Sequence, residues 1–263
     1  MKIGIRNGSL GTDWLGAIGM AAELGYDGVE LDINAEYASS IMWTAEGRGQ
    51  IIEKARNSGC EIASLCIGAY WTISPASAEE AVRNEAAELA TSAIAFAAEF
   101  GARWILLPIT PGGDECDHET CVERWLEHTA RVAPVAEDIG VQLCLENVGR
   151  GCGKLAGDLL RLVQGTDNPA VGVYYDIGNA IAFGEDPAEG IGQLADVLRI
   201  VHVKDREGDL LGDGVVPIRA AMEALEAIGY DGYLVLETPP TDDAMSAGAR
   251  NLEYLRTMLE DIS

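Results

Sequence analysis

Short runs of β-branched and other apolar residues alternate along the chain with longer stretches whose apolar residues recur at helical spacing. These are the two periods that distinguish strands from amphipathic helices. The runs predict strands over 2–6, 28–32, 61–67, 102–108, 141–146, 171–176, 198–203 and 233–237. The stretches between them predict helices over 13–24, 44–57, 78–100, 120–138, 155–164, 187–194, 217–228 and 242–261. Gly25, Gly59, Gly101, Gly140 and Gly229 stand where helices stop and strands begin, the usual place for a left-handed helix cap in a tight αβ turn. Gly-Tyr-Asp-Gly occurs at both 25–28 and 229–232, a recurring junction and not a repeat of domain size. Eight βα units in a row call for parallel strands covered by helices. The expected fold is α/β: a single-domain eight-stranded β/α barrel over 1–263, a length that suits one such barrel. The rival open sheet is disfavoured because Asn7-Gly8-Ser9-Leu10-Gly11 is not a GxGxxG turn and no P-loop occurs.

In a barrel of this kind the chemistry lies at the C-terminal strand ends. Strand five closes on Leu145-Glu146-Asn147, strand six on Tyr175-Asp176-Ile177-Gly178-Asn179, strand seven on Val201-His202-Val203-Lys204-Asp205, and strand eight on Leu236-Glu237. If the strands close in order, Glu146, Asp176, His202 and Glu237 are neighbours on one rim. Three carboxylates and an imidazole at one point repel each other unless a cation joins them, since buried acids without partners are costly. The set suits Mn²⁺, Mg²⁺ or Co²⁺ better than a structural zinc, which favours a closed shell of Cys and His. Glu30 and Asp32 also close a strand. A lone strand-end acid is more often a rim residue, and both are set apart from the quartet.

Charge narrows the partners. The chain carries 43 acidic and 18 basic residues, a net charge of −25, which repels nucleic-acid phosphates and anionic membranes. An apolar fraction of 48% with 23% charged residues is ordinary for a globular protein. No apolar run is long enough to span a bilayer, and the N-terminus enters a strand without a secretory pattern. A cytoplasmic location is expected. Six cysteines without CxxC spacing read as reduced core thiols.

Three motifs then carry a resemblance. Val201-His202-Val203-Lys204-Asp205-Arg206 with Leu211-Gly212-Asp213-Gly214 and the segment 228–238, Glu146-Asn147, and Asp176-Ile177-Gly178-Asn179 with Gly184-Glu185-Asp186-Pro187 resemble the sugar phosphate isomerase/epimerase family with the xylose isomerase-like TIM barrel. The likeness spans essentially the whole chain. It implies one divalent ion, Mn²⁺ first with Mg²⁺, Co²⁺ or Zn²⁺ as alternatives, held by Glu146, Asp176, His202 and Glu237. It also implies that Glu146 and Glu237 act as acid and base. The family spans ketose 3-epimerases, ketopentose phosphate epimerases, hydroxypyruvate isomerase, inosose dehydratase and an AP endonuclease branch. That branch uses three zinc ions and several histidines, whereas this chain has His118, His128 and His202 alone, besides its adverse charge. Asn179 and Val148 stand where some members have histidines, which leaves the substrate open.

The chemistry expected of such a site is proton abstraction next to a carbonyl, with the cation as Lewis acid for the enediolate. Return of the proton to the opposite face gives epimerisation, return to the adjacent carbon gives isomerisation, and loss of a β-hydroxyl gives dehydration. The first expectation is an isomerase or epimerase of a ketose or ketose phosphate. The alternatives are a keto-inositol or keto-sugar dehydratase, or a non-catalytic sugar-binding barrel. The partner is a small sugar or sugar phosphate, and a homo-oligomer is compatible with it. Asn179, Lys204, Arg206 and Trp71 are the candidate substrate contacts, with Asp205 weighed equally as a rim salt-bridge residue. Arg206 and the 212–214 loop are read as part of a phosphate pocket. Trp43 and Tyr70, with Trp71, are read as shields between sugar and water.

Overall fold

In the computed structural model, which describes residues 1–113 and 116–262, eight parallel strands close into one barrel in chain order. They are β1 (Lys2–Arg6), β2 (Gly28–Asp32), β3 (Glu61–Cys66), β4 (Trp104–Pro108), β5 (Gln142–Glu146), β6 (Val171–Asp176), β7 (Leu198–Val203) and β8 (Tyr233–Leu236). Closure comes from β8 beside β1, with Leu236 level with Ile5. The surrounding helices are α1 (Trp14–Leu24), α2 (Ala45–Ser58), α3 (Glu80–Phe100), α4 (His118–Ile139), α5 (Ala156–Thr166), α6 (Ile177–Ala182), α7 (Pro187–Leu194), α8 (Ile218–Ala227) and α9 (Ala244–Ile262). This is the expected barrel, with strand ends differing from the expectation by one or two residues. Among the described residues no helix is long and apolar enough to cross a membrane.

The alternation of strand side chains builds two separate cores. Outward residues such as Ile105, Leu107, Leu143, Leu145, Val173 and Val201 pack with helix residues such as Ile18, Ile94, Trp125, Leu159 and Leu225. Inward residues Ala63, Cys66, Leu106, Cys144, Tyr174, Ile200, Tyr233 and Val235 fill the barrel interior. Each member of the quartet stands two places beyond one of these: Glu146 after Cys144, Asp176 after Tyr174, His202 after Ile200, Glu237 after Val235. The strand period therefore carries the interior face out to the rim and aims all four inward.

The helix ends follow their sequence signals. Asp13, Thr44 and Asp117 accept a first-turn amide from Gly16, Gly47 and Thr120, satisfying donors that the helix itself leaves open. Gly25, Gly59, Gly101 and Gly140 end α1 to α4 in left-handed backbone. The short α6 was not expected, because six residues are too few to display a helical period. It starts directly at Asp176, whose Oδ1 accepts Asn179 N at 2.8 Å. All six cysteines are free thiols.

Candidate active site and metal centre

Register brings the quartet together. Asp176 lies level with His202 across β6 and β7, Glu146 is level with Tyr174 across β5 and β6, and Glu237 follows β8 with its N–H on the Val203 carbonyl. One ligand-type atom from each of Glu146, Asp176, His202 and Glu237 lies within 4.8 Å of all the others, the one such group among the described residues. His202 Nδ1 is 3.0 Å from Glu146 Oε1, 3.7 Å from Glu237 Oε2 and 3.9 Å from Asp176 Oδ2.

Neighbouring loops hold these side chains. Asn147 clamps the Asp176 backbone from the adjacent strand, donating to its carbonyl at 2.9 Å and accepting its N–H at 2.7 Å. Asn179 Nδ2 donates to the Asn147 carbonyl at 2.9 Å, so its amide nitrogen joins the two loops. Lys204 places its ammonium 2.6 Å from Asp176 Oδ2 and 2.7 Å from Glu237 Oε2. A side chain at Gly178 would have its Cβ 2.5 Å from Lys204 Cγ, so the glycine of this motif is what lets the lysine pass.

Two residues outside the sequence-derived site join it. Arg6, at the end of β1, donates to Glu237 Oε1 and, at 2.9 Å, to Asp32 Oδ2. Glu30 on β2 is fully buried and lies 3.0 Å from His202 Nε2. Ser64 Oγ and Tyr174 OH both donate to its other oxygen, at 2.6 and 2.8 Å. Arg6 carries no motif of its own. Glu30 did carry a signal: it alternates with apolar neighbours in Val29-Glu30-Leu31, which turns it inward at a level where the barrel is closed to water.

These contacts split the titration of the acids. Burial raises the Glu146 carboxyl to about 7, opposed by His202 and assisted by Glu237 and Asp176. Burial acts the same way on Glu237, but His202, Lys204 and Arg6 outweigh it and hold that carboxyl far below the usual range. Asp176 is raised, chiefly by burial and against the pull of Lys204. For His202, burial would lower the pKa, yet Glu30, Glu237 and the hydrogen bond the ring donates to Glu146 carry it well above the ordinary histidine value. Without a metal ion the imidazole is thus a cation that partly balances the acids.

A cavity of about 850 Å³ opens over Lys204 and Glu237 and is lined by Arg6, Asp205, Arg206, Thr238 and Pro239 among others. Arg206 is exposed on its wall. Three expectations are corrected here. Asp205 is neither a rim salt bridge nor free for substrate: its oxygens accept the N–H groups of Arg206, Gly212, Gly214 and Val216. The 212–214 loop has therefore spent the amides of Gly212 and Gly214 that a phosphate would need. Tyr70 does not shield the site either, being buried in the outer core with its hydroxyl 2.9 Å from His128 Nε2. Trp43 packs on Tyr37 and Phe96. Trp71 is 48% exposed, with the Arg150 guanidinium 5.5 Å from its ring centre, and it is not in the cavity wall.

The quartet fits a divalent cation by its own chemistry. Asp176 Oδ2 is buried, and its partner is an ammonium, that of Lys204, which it shares with Glu237. Three carboxylates and one imidazole supply the oxygen and nitrogen donors of a hard to borderline ion.

An eight-stranded β/α barrel with an inward carboxylate–imidazole cluster on its C-terminal rim defines the class of protein. Residues 18–258 match the family described as "Xylose isomerase-like TIM barrel", and the chain belongs to that family. Its relatives and structural neighbours are sugar epimerases. L-ribulose-5-phosphate 3-epimerase UlaE of Salmonella heidelberg (strain SL476) is 28% identical over 242 residues, 86% of this chain and 82% of that protein. A D-tagatose 3-epimerase-like protein of known structure is 25% identical with a TM-score of 0.82, covering 100% of both chains. The structure of an L-ribulose 3-epimerase superposes with a TM-score of 0.88 at 20% identity, over 99% of this chain and 95% of that one.

Proposed function

We propose that this protein is a divalent-cation-dependent epimerase or isomerase of a ketose or ketose phosphate, with Glu146 and Glu237 as its acid/base pair. The observation that carries the reading is the convergence of four ligand atoms, one each from Glu146, Asp176, His202 and Glu237, within 4.8 Å of one another. The 3-epimerase names of its relatives support the reaction class. Glu146, Asp176, Glu237 and Nδ1 of His202 would hold the ion, Mn²⁺ in the first instance. When bound, it supplies Lewis-acid polarisation of a substrate carbonyl.

The chain's own groups do the proton work. One glutamate removes the carbon-bound proton and the other returns one, and delivery to the opposite face inverts the carbon. Arg6 and Lys204 flank Glu237, steadying its negative charge, and both line the cavity, where they offer cationic donors to sugar oxygens.

Incubation with a panel of ketoses in D₂O tests this directly. Deuterium should enter the substrate next to the carbonyl with Mn²⁺ present, and EDTA should abolish the incorporation. Glu237→Gln and Glu146→Gln should each lower the exchange rate by about 10²- to 10⁴-fold. Exchange undiminished in either variant would sink the acid/base assignment.

A further inference from the structure

The other ring nitrogen of His202 faces a carboxylate outside the quartet. Glu30 Oε1 lies 3.0 Å from Nε2, on the far side of the ring from Glu146, which lies 3.0 Å from Nδ1. Both atoms of this contact are buried, and so is the whole of Glu30. An ionised carboxylate can only accept, so the proton at this contact belongs to Nε2.

The surroundings of Glu30 keep its carboxylate in that pose. Its second oxygen receives the hydroxyls of Ser64 on β3 and Tyr174 on β6, so rotation away from His202 would strand two buried donors. The Arg6 Nε lies 4.0 Å from Oε1 and supplies positive charge beside it. The Tyr174 ring also packs on the imidazole, 4.4 Å between centres at 57°, so the residue that anchors Glu30 restrains the histidine ring as well.

We propose that Glu30 is a positioning residue: it holds the Nε2–H of His202 and orients the ring so that Nδ1 presents its lone pair to Glu146, Asp176 and Glu237. The inference rests on the reading of those residues and His202 as a cation site. An acceptor behind a metal-binding imidazole fixes its tautomer and strengthens it as a ligand, an effect worth about 10- to 100-fold in metal affinity.

The test measures Mn²⁺ affinity by titration calorimetry and the protonation of the ring by ¹⁵N NMR of the Zn²⁺-loaded protein. With His118 and His128 as the two other histidines, single His→Gln variants assign the signals. In the wild type, His202 should carry its proton on Nε2 and show a Zn²⁺-induced shift at Nδ1. Glu30→Ala should lose about 10- to 100-fold in Mn²⁺ affinity and the exclusive Nε2–H form. Glu30→Gln keeps an oxygen acceptor and should recover part of the affinity. Should neither variant fold, Ser64→Ala combined with Tyr174→Phe frees the carboxylate without removing it, and a several-fold weaker Mn²⁺ affinity is expected. Wild-type affinity together with an unchanged Nε2–H in the variants overturns the positioning role. A wild type that binds no Mn²⁺ overturns the cation site itself, and the proposal with it.

Discussion

The Lys204 ammonium lies 2.6 Å from Asp176 Oδ2, beside the cluster of Glu146, Asp176, His202 and Glu237. Without a metal ion this lysine, His202 and, at Glu237, Arg6 are the cations that offset Glu146, Asp176 and Glu237. Lys204→Met should therefore destabilise the metal-free protein by about 3 kcal/mol, as expected when one partner of a buried pair is removed. At this chain length that is a fall in Tm on the order of 10 °C. Excess Mn²⁺ should restore most of it, and thermal scans with and without EDTA would show the difference. A Tm that falls equally in both conditions would mean that Lys204 serves packing alone.

His128 gives the fold an acid limit of its own. It is buried against Tyr70 and Trp125, and burial, with Arg131 nearby, pushes its pKa down to about 3. The folded protein thus keeps this imidazole neutral, while an unfolded chain protonates it near the ordinary value of about 6.5. Between these values the unfolded state binds the extra proton, so this contribution to stability is present above the unfolded pKa and is lost as pH falls. Denaturant unfolding at pH 7, 6 and 5 should show the free energy of the wild type falling relative to that of His128→Gln, since the raised Glu146 and His202 act equally in both proteins. The same pH dependence in wild type and variant would exclude the histidine as a source.

Trp71 is exposed at the mouth of the barrel, following β3, under the Arg150 guanidinium. Trp71→Ala should leave stability within about 0.5 kcal/mol, as for other exposed side chains outside a network. If the ring covers bound sugar, KM should rise several-fold while the Mn²⁺ affinity stays put. Steady-state kinetics beside calorimetry separate these, and an unchanged KM would assign Trp71 to the surface.

Much of this architecture was legible before the structure. The strand and helix periods persist along the whole chain, and the glycines at 25, 59, 101 and 140 mark helix ends with a local backbone requirement that needs no tertiary partner. The quartet was legible because each member closes its own strand. The loop residues were harder. Asp205 looks from its neighbours Lys204 and Arg206 like part of a charged rim, yet it folds back onto four amides of its own loop. Tyr70 adjoins exposed Trp71 in sequence and still belongs to the core, because the turn at 68–71 points successive side chains in different directions.

The sequence by itself determined the order of elements and the inward face of each strand, since a period of two and a period of 3.6 are properties of local backbone. It also determined which residues close the strands, and with them the carboxylate and imidazole donors of the proposed cation site. Tertiary structure alone decided what stands behind those residues. Glu30 meets His202 from 172 positions away, and Arg6 meets Glu237 from 231. Barrel closure sets β1 beside β8 and turns β2 toward the same interior, and such distances in sequence leave no local pattern to read.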